Sequence, residues 1–457
     1  MHMNEVDIPE KWQWFHHGRY GLFIHWGPYA LYGRGEQVAF REHMDLLAYE
    51  KDACEWNPKA FDAKRWARLA KAAGFTYACF TTKHHDGYCM WDTKCTDYSS
   101  ARQAPKRDFV QEYVEAFRAE GLKVGLYYSW MDWRIPAYFE GPEADREAWE
   151  CYKRYIHEQV EELLSNYGKI DYFFFDGVWP RNAEDLGSME LVEKMRRWQP
   201  DILINDRLGY DKNAADNFDG GAGAGGGQSF GDFGTPEQRV VADRLRLWES
   251  CQVSGWRLWG HVIGERWREA DKLLDILCEC AEQGGNLILN VGPDKDGNFP
   301  PEFEQRALEI GRWLCVHGEA IYGHGGGNLT EFVTRGYQTI RGNNLYLLIR
   351  FWDGEPTMRL ADLVTPVRRV TLLTTAQELK FKQDGDILYI SGLPKESPTR
   401  LFPVIKIEFE AEPETNQWGR ERLWEGNPAR VAAWARKRGT TTNALKDKLE
   451  IKEEFVR

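Results

Sequence analysis

The chain has 457 residues and a net charge of −12 at pH 7, so its surface disfavours nucleic acid or an anionic membrane as a partner. Its 42% hydrophobic and 28% charged residues are typical of globular proteins and exclude disorder over most of the length. No apolar stretch approaches the ~20 residues that span a bilayer, and the first residues lack the pattern of a secretory signal, so we expect a cytoplasmic protein.

Apolar runs alternate with amphipathic segments over roughly the first 325 residues. Short strands are predicted at 21–24, 75–80, 123–128, 170–175, 201–205, 245–251 and 286–291, and helices at 61–73, 108–119, 145–167, 183–198 and 269–282. This alternation indicates a parallel sheet covered on both faces. At least seven such strands favour a (β/α)8-like TIM barrel over residues 1–325. An open doubly wound sheet is the alternative, although no glycine-rich phosphate turn follows the first strand.

The pattern changes in the last third of the chain. Short strands separated by Asn-Asn and Asp-Gly turn signals predict an antiparallel β-sandwich over residues 326–411. Residues 412–457 form a charged tail with one helical patch. This tail could be a solvated helix or an interface arm, and homo-oligomerisation of the chain stays open.

The carboxyl ends of barrel strands are where an active site is expected. The residues directly after the predicted strands are His25, Trp26, Lys83, His84, His85, Asp86, Trp130, Asp132, Asp176, Asp206, Arg207 and Trp256. This set is rich in histidine, tryptophan and carboxylate, and it carries no cofactor fingerprint. We therefore predict that the protein needs no cofactor.

Metal binding is the first alternative for these residues. His84, His85 and Asp86 could form half of a metal site, but neighbouring strand residues point to opposite faces and seldom chelate one ion. Neutral imidazoles bonded to sugar hydroxyls fit equally well, and the high aromatic content, 14%, suits stacking on sugar rings as well as core packing. The nine cysteines include no CxxC pair, which disfavours a zinc knuckle and favours free thiols in a reducing compartment. We predict no metal site.

Two carboxylates stand out as chemical groups. Asp176 follows three phenylalanines, where it could be a nucleophile or base, or only a helix N-cap; its place at a strand end favours the former. The glycine-rich segment Phe218–Gly234 is predicted to be a mobile loop and no barrel element. Glu237 follows it and could be a general acid that arrives with the substrate. Alternatively, Thr235 and Pro236 only begin a helix, and both interpretations stay open here.

Several motifs together resemble one family. The segments GLFIHWGPYAL, FTTKHHDGYCMW, FFFDGVWP, INDRLG, DFGTPEQ, WESC, GGNLILNVGPDKDGNFP and IGRWLCVHGEAIYG occur in family order between about Gly18 and Tyr322. They are similar to those of the α-L-fucosidases of glycoside hydrolase family 29. The resemblance implies that the barrel is the catalytic domain of a retaining exo-glycosidase, that the sandwich is the family's second domain, and that the substrate is a fucosylated oligosaccharide or glycoconjugate.

The resemblance also implies roles for single residues. Asp176 matches the nucleophile and Glu237 the acid/base, with Glu249 in WESC as a rival whose apolar strand setting suits a structural role. The implied substrate pocket consists of His25, Glu36, His84, His85, Arg207 and Trp259, the last lying near the methyl group of the sugar. Gln37 stands where the family commonly has tryptophan, and this removes an aromatic wall near the pocket rim.

Three alternatives to a fucosidase remain at this stage. The same scaffold could act on a related sugar such as an α-L-galactoside, which needs room for a hydroxymethyl group. The chain could be a non-catalytic carbohydrate-binding protein, although both candidate carboxylates are present. It could also be a metal-dependent hydrolase that uses His84, His85 and Asp86.

Overall fold

Eight parallel strands form the main sheet of the computed structural model, which describes residues 8–209, 230–243, 246–323, 326–327, 329 and 335–415. The strands are β1 Tyr20–Ile24, β2 Tyr77–Lys83, β3 Lys123–Ser129, β4 Tyr172–Asp176, β5 Leu203–Ile204, β6 Phe233–Gly234, β7 Leu247–Val253 and β8 Asn286–Val291. They pair in the order β5-β4-β3-β2-β1-β8-β7-β6. A parallel bridge between Asn205 and Phe233 joins the two outer strands, so the sheet closes into a barrel. The predicted (β/α)8 architecture is confirmed, and the open sheet is wrong.

Helices cover the outside of the barrel. They are α1 Gln13–Gly18, α2 Val38–Arg41, α3 Leu46–Glu55, α4 Ala63–Ala72, α5 Phe109–Ala119, α6 Pro136–Glu140, α7 Arg146–Ser165, α8 Ala183–Leu186, α9 Ser188–Trp198, α10 Ala270–Glu282 and α11 Pro301–His317. Aspartate side chains cap α4, α5 and α7 by accepting backbone N–H bonds, which fixes where these helices begin. The single helix predicted at 183–198 is two helices, because Gly187 adopts φ +64° between them. Among the described residues, none of the helices has the length and apolar character needed to cross a membrane.

Alternation along the strands separates the interior of the barrel from its outer surface. On β4, Tyr172 and Phe174 join the interior cluster, whereas Phe173 and Phe175 pack into the cluster beneath the helices. Asp176 shares the inward parity of Tyr172 and Phe174, and it is the last residue of the strand. The aromatic side chains inside the barrel thus lie directly beneath the polar groups at the strand ends.

The sixth strand corrects the prediction of a mobile loop over Phe218–Gly234. Residues 218–229 lie outside the described part of the chain, but Phe233 and Gly234 are a barrel strand. Phe233 is fully buried, and its ring centroid lies 5.1 Å from those of both Phe15 and Tyr172. A strand of only two residues shows no periodicity, and the glycines before it obscured its signal.

Antiparallel strands follow the barrel, as predicted for a sandwich. They are β9 Gly336–Arg341, β10 Asn344–Ile349, β11 Thr357–Leu360, β12 Val367–Leu372, β13 Gln377–Glu378, β14 Lys380–Asp384, β15 Ile387–Ser391 and β16 Val404–Phe409. One sheet has the order β13-β12-β16-β10-β9 and the other β11-β15-β14. The exact domain boundaries stay predictions, and the helical patch of the tail lies outside the described residues.

The barrel and the sandwich share buried surface. Trp313 of α11 donates a hydrogen bond from Nε1 to the carbonyl oxygen of Phe402, at 2.7 Å. Tyr346, Leu348 and Val404 of the sandwich belong to the same hydrophobic cluster as the barrel helices. The two parts are therefore packed against each other and not only joined by the chain.

Candidate active site

A pocket opens at the carboxyl ends of the barrel strands and encloses about 400 Å³ of empty space, its open mouth included. Its lining consists of Phe23, His25, Gln37, His84, His85, Tyr127, Phe174, Asp176, Trp179, Arg207, Glu237, Cys251 and Trp259. Seven of the eight predicted site residues are therefore brought together, and Glu36 is the exception. Seven of these thirteen residues are polar or charged, and the volume lies in the range of small-molecule sites.

Asp176 is held as a carboxylate at the end of β4. Its Oδ1 accepts a hydrogen bond from Arg207 at 2.7 Å, and its Oδ2 accepts one from the hydroxyl of Tyr127 at 2.8 Å. Nε2 of His85 lies 3.8 Å from Oδ2. Burial alone would raise the pKa of Asp176, but Arg207, His85 and the hydrogen bonds outweigh it and lower this pKa. Asp176 is an ionised group facing the pocket, and it caps no helix.

Arg207, which follows β5, contacts both candidate carboxylates. One terminal nitrogen bonds to Asp176, and the other lies 3.1 Å from Oε2 of Glu237. Its Nε donates to the hydroxyl of Thr235 at 3.1 Å, and that hydroxyl donates to Asp206 at 2.6 Å. Asp176, Glu237 and Thr235 together fix the orientation of the guanidinium group.

The backbone on either side of Glu237 is paired with β7. The N–H of Cys251 donates to the carbonyl oxygen of Pro236 at 3.0 Å, and the N–H of Gln238 donates to that of Cys251 at 2.8 Å. Glu237 begins no helix, so the capping alternative for Thr235 is wrong. Glu237 lies in the pocket beside Arg207.

Glu249 lies deeper in the barrel than the pocket. It is fully buried on β7 and accepts hydrogen bonds from the hydroxyls of Tyr77, at 2.7 Å, and Tyr172. Tyr172 is two inward positions below Asp176 on β4, and Cys251 is the β7 residue that lines the pocket. Burial raises the pKa of Glu249 to about 7, although the two tyrosines partly oppose it. Glu249 is therefore not beside Asp176, whereas Glu237 is.

The three predicted histidines face the pocket as neutral rings. Burial lowers the pKa of His25 to about 3 and that of His85 to about 4, and it lowers the pKa of His84 well below its usual value. Nδ1 of His25 lies 2.7 Å from Oδ1 of Asn290, whose amide nitrogen is engaged with the carbonyl of Trp259, so Nδ1 carries the proton. His25 therefore presents Nε2 as an acceptor.

The tautomer of His85 follows from its neighbour Ser129. Nδ1 of His85 lies 2.7 Å from the Ser129 hydroxyl, which donates its own hydrogen to the carbonyl of Met131 at 2.9 Å. Nδ1 must then be the donor, and Nε2 accepts. Nδ1 of His84 is buried without a hydrogen-bond partner among the described residues, which is costly unless a ligand supplies one.

The sequence HHD does not form a chelating group. Oδ2 of Asp86 accepts a hydrogen bond of 2.6 Å from the hydroxyl of Tyr49, and the carboxylate does not line the pocket. Within the described ranges, no three or more His, Cys, Asp and Glu side chains are placed to hold a metal ion. The two imidazoles are instead adjacent walls of the pocket, with ring centroids 4.1 Å apart.

Glu36 lies behind the pocket wall. Its Oε2 accepts hydrogen bonds from the backbone N–H groups of Trp259 and Gly260, both at 2.9 Å. The buried carboxylate thereby fixes the segment that places the Trp259 ring in the pocket. Its other oxygen has no partner in the described part of the chain, so direct sugar binding by Glu36 stays a prediction.

Sequence reasoning missed several residues of the site. Tyr127 looked like core because it lies within an apolar strand, yet its hydroxyl reaches Asp176. Asn290 and Ser129, which orient two histidines, are also strand residues. A polar residue inside an apolar strand, such as Asn290 in NLILNV, is a signal that could have identified it. Thr235 and Trp179 had no comparable signal.

A (β/α)8 barrel whose strand ends place two carboxylates, an arginine and neutral histidines in one pocket has the fold and site of a glycoside hydrolase. The family model described as alpha-L-fucosidase matches residues 2–319. The chain belongs to the α-L-fucosidase family, glycoside hydrolase family 29, and the resemblance noted in the sequence is confirmed.

Individual relatives agree with this membership. The tissue alpha-L-fucosidase of Bos taurus is 27% identical over 426 residues, covering 86% of this chain and 88% of the relative. The structure of alpha-L-fucosidase isoenzyme 1 from Paenibacillus thiaminolyticus is similar with a TM-score of 0.77 and 35% identity, over 88% of this chain and 99% of that one. A family 29 fucosidase from Bacteroides thetaiotaomicron, solved as a trapped covalent intermediate with 2-fluoro-fucosyl fluoride, is 28% identical with a TM-score of 0.78, covering 88% and 96%.

Proposed function

We propose that this protein hydrolyses terminal α-L-fucosides of oligosaccharides or glycoconjugates with retention, through a covalent glycosyl-aspartate on Asp176. The observation that carries the proposal is that Arg207 contacts both Asp176 and Glu237, at 2.7 and 3.1 Å. Two carboxylates that share one guanidinium group lie close together, and retaining enzymes need a separation of about 5–5.5 Å. The names of the relatives supply the identity of the sugar.

In the first step, Asp176 is the nucleophile and Glu237 the general acid. A carboxylate oxygen of Asp176 forms a bond to the anomeric carbon as the glycosidic C–O bond breaks. The electron pair of that bond goes to the leaving oxygen, which takes a proton from Glu237. Arg207 and Tyr127 fix the carboxylate, so little orientation is left to achieve in the transition state.

In the second step, the same pair acts in reverse. Glu237 removes a proton from water, the water oxygen bonds to the anomeric carbon, and the ester bond to Asp176 breaks. Two displacements at one carbon restore the starting configuration. Glu237 suits contact with both the leaving group and water because its side chain is 35% exposed, against 12% for Asp176.

The histidines would hold the sugar hydroxyls. Nε2 of His25 and of His85 is an acceptor, and the unpartnered Nδ1 of His84 offers another polar contact. Such bonds can strengthen as positive charge develops on the ring, which stabilises the transition state more than the bound substrate. Trp259 and Phe23 offer apolar walls for a deoxy sugar.

Covalent labelling tests this proposal. The enzyme is treated with 2-fluoro-α-L-fucosyl fluoride, digested and analysed by mass spectrometry, and we expect the label on the peptide that contains Asp176. Asp176→Asn should fold and remain unlabelled, whereas the control Glu249→Gln should be labelled like wild type. A label on any other residue contradicts the nucleophile, and absence of fucoside hydrolysis contradicts the activity.

We also propose that the protein works in the cytoplasm. All nine cysteines are free, and Cys79, Cys89, Cys251, Cys278 and Cys280 are buried in the barrel, as expected in a reducing compartment. Protein alkylated under denaturing conditions in a freshly prepared lysate should carry nine alkylated cysteines by mass spectrometry. A disulfide in that preparation would contradict the location. Homo-oligomerisation and the absence of nucleic-acid and membrane partners remain predictions.

A further inference from the structure

The mouth of the pocket has an aromatic wall of its own. Phe23, Tyr127 and Phe174 at the pocket floor are buried, whereas the ring of Trp179 is 40% exposed. A terminal sugar that sits on this floor must connect to the rest of its glycan through the mouth. The group attached to it therefore passes Trp179, three residues beyond Asp176 and outside the strand that carries it.

Two further aromatic rings, Trp133 and Phe40, are connected to Trp179 through His85. The rings of Trp179 and Trp133 both pack against His85, each with centroids 5.8 Å from the imidazole. Phe40 stacks on Trp133 at 5.6 Å with an angle of 23° between the planes, and it is 62% exposed. We call Trp179, Trp133 and Phe40 the aromatic strip. Single exposed aromatics need no explanation, but Trp179 and Trp133 both contact a histidine that also lines the pocket, and Phe40 contacts Trp133.

We propose that the aromatic strip is the binding site for the leaving group, and that this leaving group is a pyranose ring of an oligosaccharide. Trp179 would stack on the sugar directly attached to fucose, and the Phe40–Trp133 pair on the next sugar. A pyranose has an apolar face that suits an exposed indole and a hydroxyl rim that suits the polar neighbours Gln37 and Glu237.

This inference rests on the proposed function, and a series of three substrates separates the two. α-L-Fucosyl fluoride has no ring beyond fucose, a fucosyl disaccharide has one, and a fucosyl trisaccharide with the fucose at its end has two. Hydrolysis of the fluoride by wild type reports the fucosidase chemistry alone. Trp179→Ala should lower kcat/KM for the disaccharide about tenfold more than kcat/KM for the fluoride, because only the disaccharide places a ring against the indole. Trp179→Phe should restore most of that loss.

Phe40 supplies the second arm of the experiment. Phe40→Ala should lower kcat/KM for the trisaccharide several-fold while the disaccharide changes little. Phe351→Ala, an exposed aromatic of the sandwich that is 55% accessible, is the matched control and should change no substrate. An equal loss on fluoride and disaccharide in Trp179→Ala, or no loss on either, overturns the inference even if fucoside hydrolysis itself is intact.

Discussion

The buried carboxyl group of Glu249 makes the stability of the barrel depend on pH. Burial raises its pKa to about 7 in the folded protein, against an ordinary value of 4.5. Between these two values the folded state binds a proton that the unfolded state has lost, so the free energy of unfolding falls as the pH rises. The difference between the two pKa values lowers the free energy of unfolding by about 3 kcal/mol at alkaline pH. About 2 kcal/mol of this loss occurs between pH 5.5 and pH 8.

Glu249→Gln removes this dependence while keeping the shape of the side chain. An amide can still bond to the hydroxyls of Tyr77 and Tyr172, but it never carries a charge. The melting temperature of the variant relative to wild type should therefore be higher at pH 8 than at pH 5.5. The melting temperature of the variant minus that of wild type should be roughly 3 °C larger at pH 8 than at pH 5.5, for a cooperative unit of about 300 residues. The activity should remain within a few-fold of wild type, because Glu249 does not line the pocket.

Melting curves for both proteins at a fixed scan rate across this pH range provide the measurement. Glu319→Gln is the matched control: Lys406 and Tyr346 outweigh the effect of burial and lower the pKa of Glu319. The stability that Glu319 contributes is already present above its unfolded pKa of 4.5, so its variant should differ from wild type by a constant amount between pH 6 and pH 8. A Glu249→Gln difference that does not change with pH would refute the reasoning.

Other predictions concern the pocket. Glu237→Ala should lose most on unactivated fucosides and least in the first step with acidic phenol leaving groups, and azide should restore its turnover; wild-type rates on a disaccharide would exclude it as the acid. His84→Ala should lose about 1–3 kcal/mol in kcat/KM, and activity should survive EDTA; one tightly bound zinc per chain would contradict sugar binding by the histidines. Thr235→Val should lower kcat about tenfold and move the acidic limb of the pH profile upward, because Arg207 loses one of the bonds that orient it and then lowers the pKa of Asp176 less. Thr235→Ser should recover both, and Thr339→Val, which removes an equally buried hydroxyl far from the pocket, should change neither.

The sequence predicted the site best where side chains follow long strands. His25, Asp176 and Arg207 come at or directly after apolar runs, and parallel strands place such residues at one end of a barrel. The prediction was weakest where backbone hydrogen bonds to a distant strand, and not the spacing of apolar residues, fix the position of a residue. Glu237 is held by two backbone hydrogen bonds to Cys251, which no local pattern encodes. The helix that Thr235 and Pro236 could begin was therefore as plausible as the catalytic interpretation.

Polar groups that act through others were harder still to predict. Thr235 orients Arg207, and Glu36 holds the backbone of Trp259, but each role depends on a partner distant in the sequence. The resemblance indicated Glu36 as a pocket residue, whereas the structure places its carboxylate behind the pocket wall, bonded to the backbone of Trp259 and Gly260. The aromatic residues posed the opposite difficulty. Composition cannot separate Trp179 at the mouth from the many rings of the core, since only the packed structure reveals exposure.

The buried surface between the barrel and the sandwich limits how this protein can be shortened. Removing the chain after Gly323 would strip Leu348 and Val404 from the hydrophobic cluster of the barrel and leave Trp313 without the carbonyl of Phe402. An apolar patch of this kind in contact with water promotes association between molecules. A barrel expressed alone would consequently aggregate, even though every pocket-lining residue belongs to it. Fusion partners or immobilisation tags therefore belong beyond the sandwich and not at the junction between the two sheets.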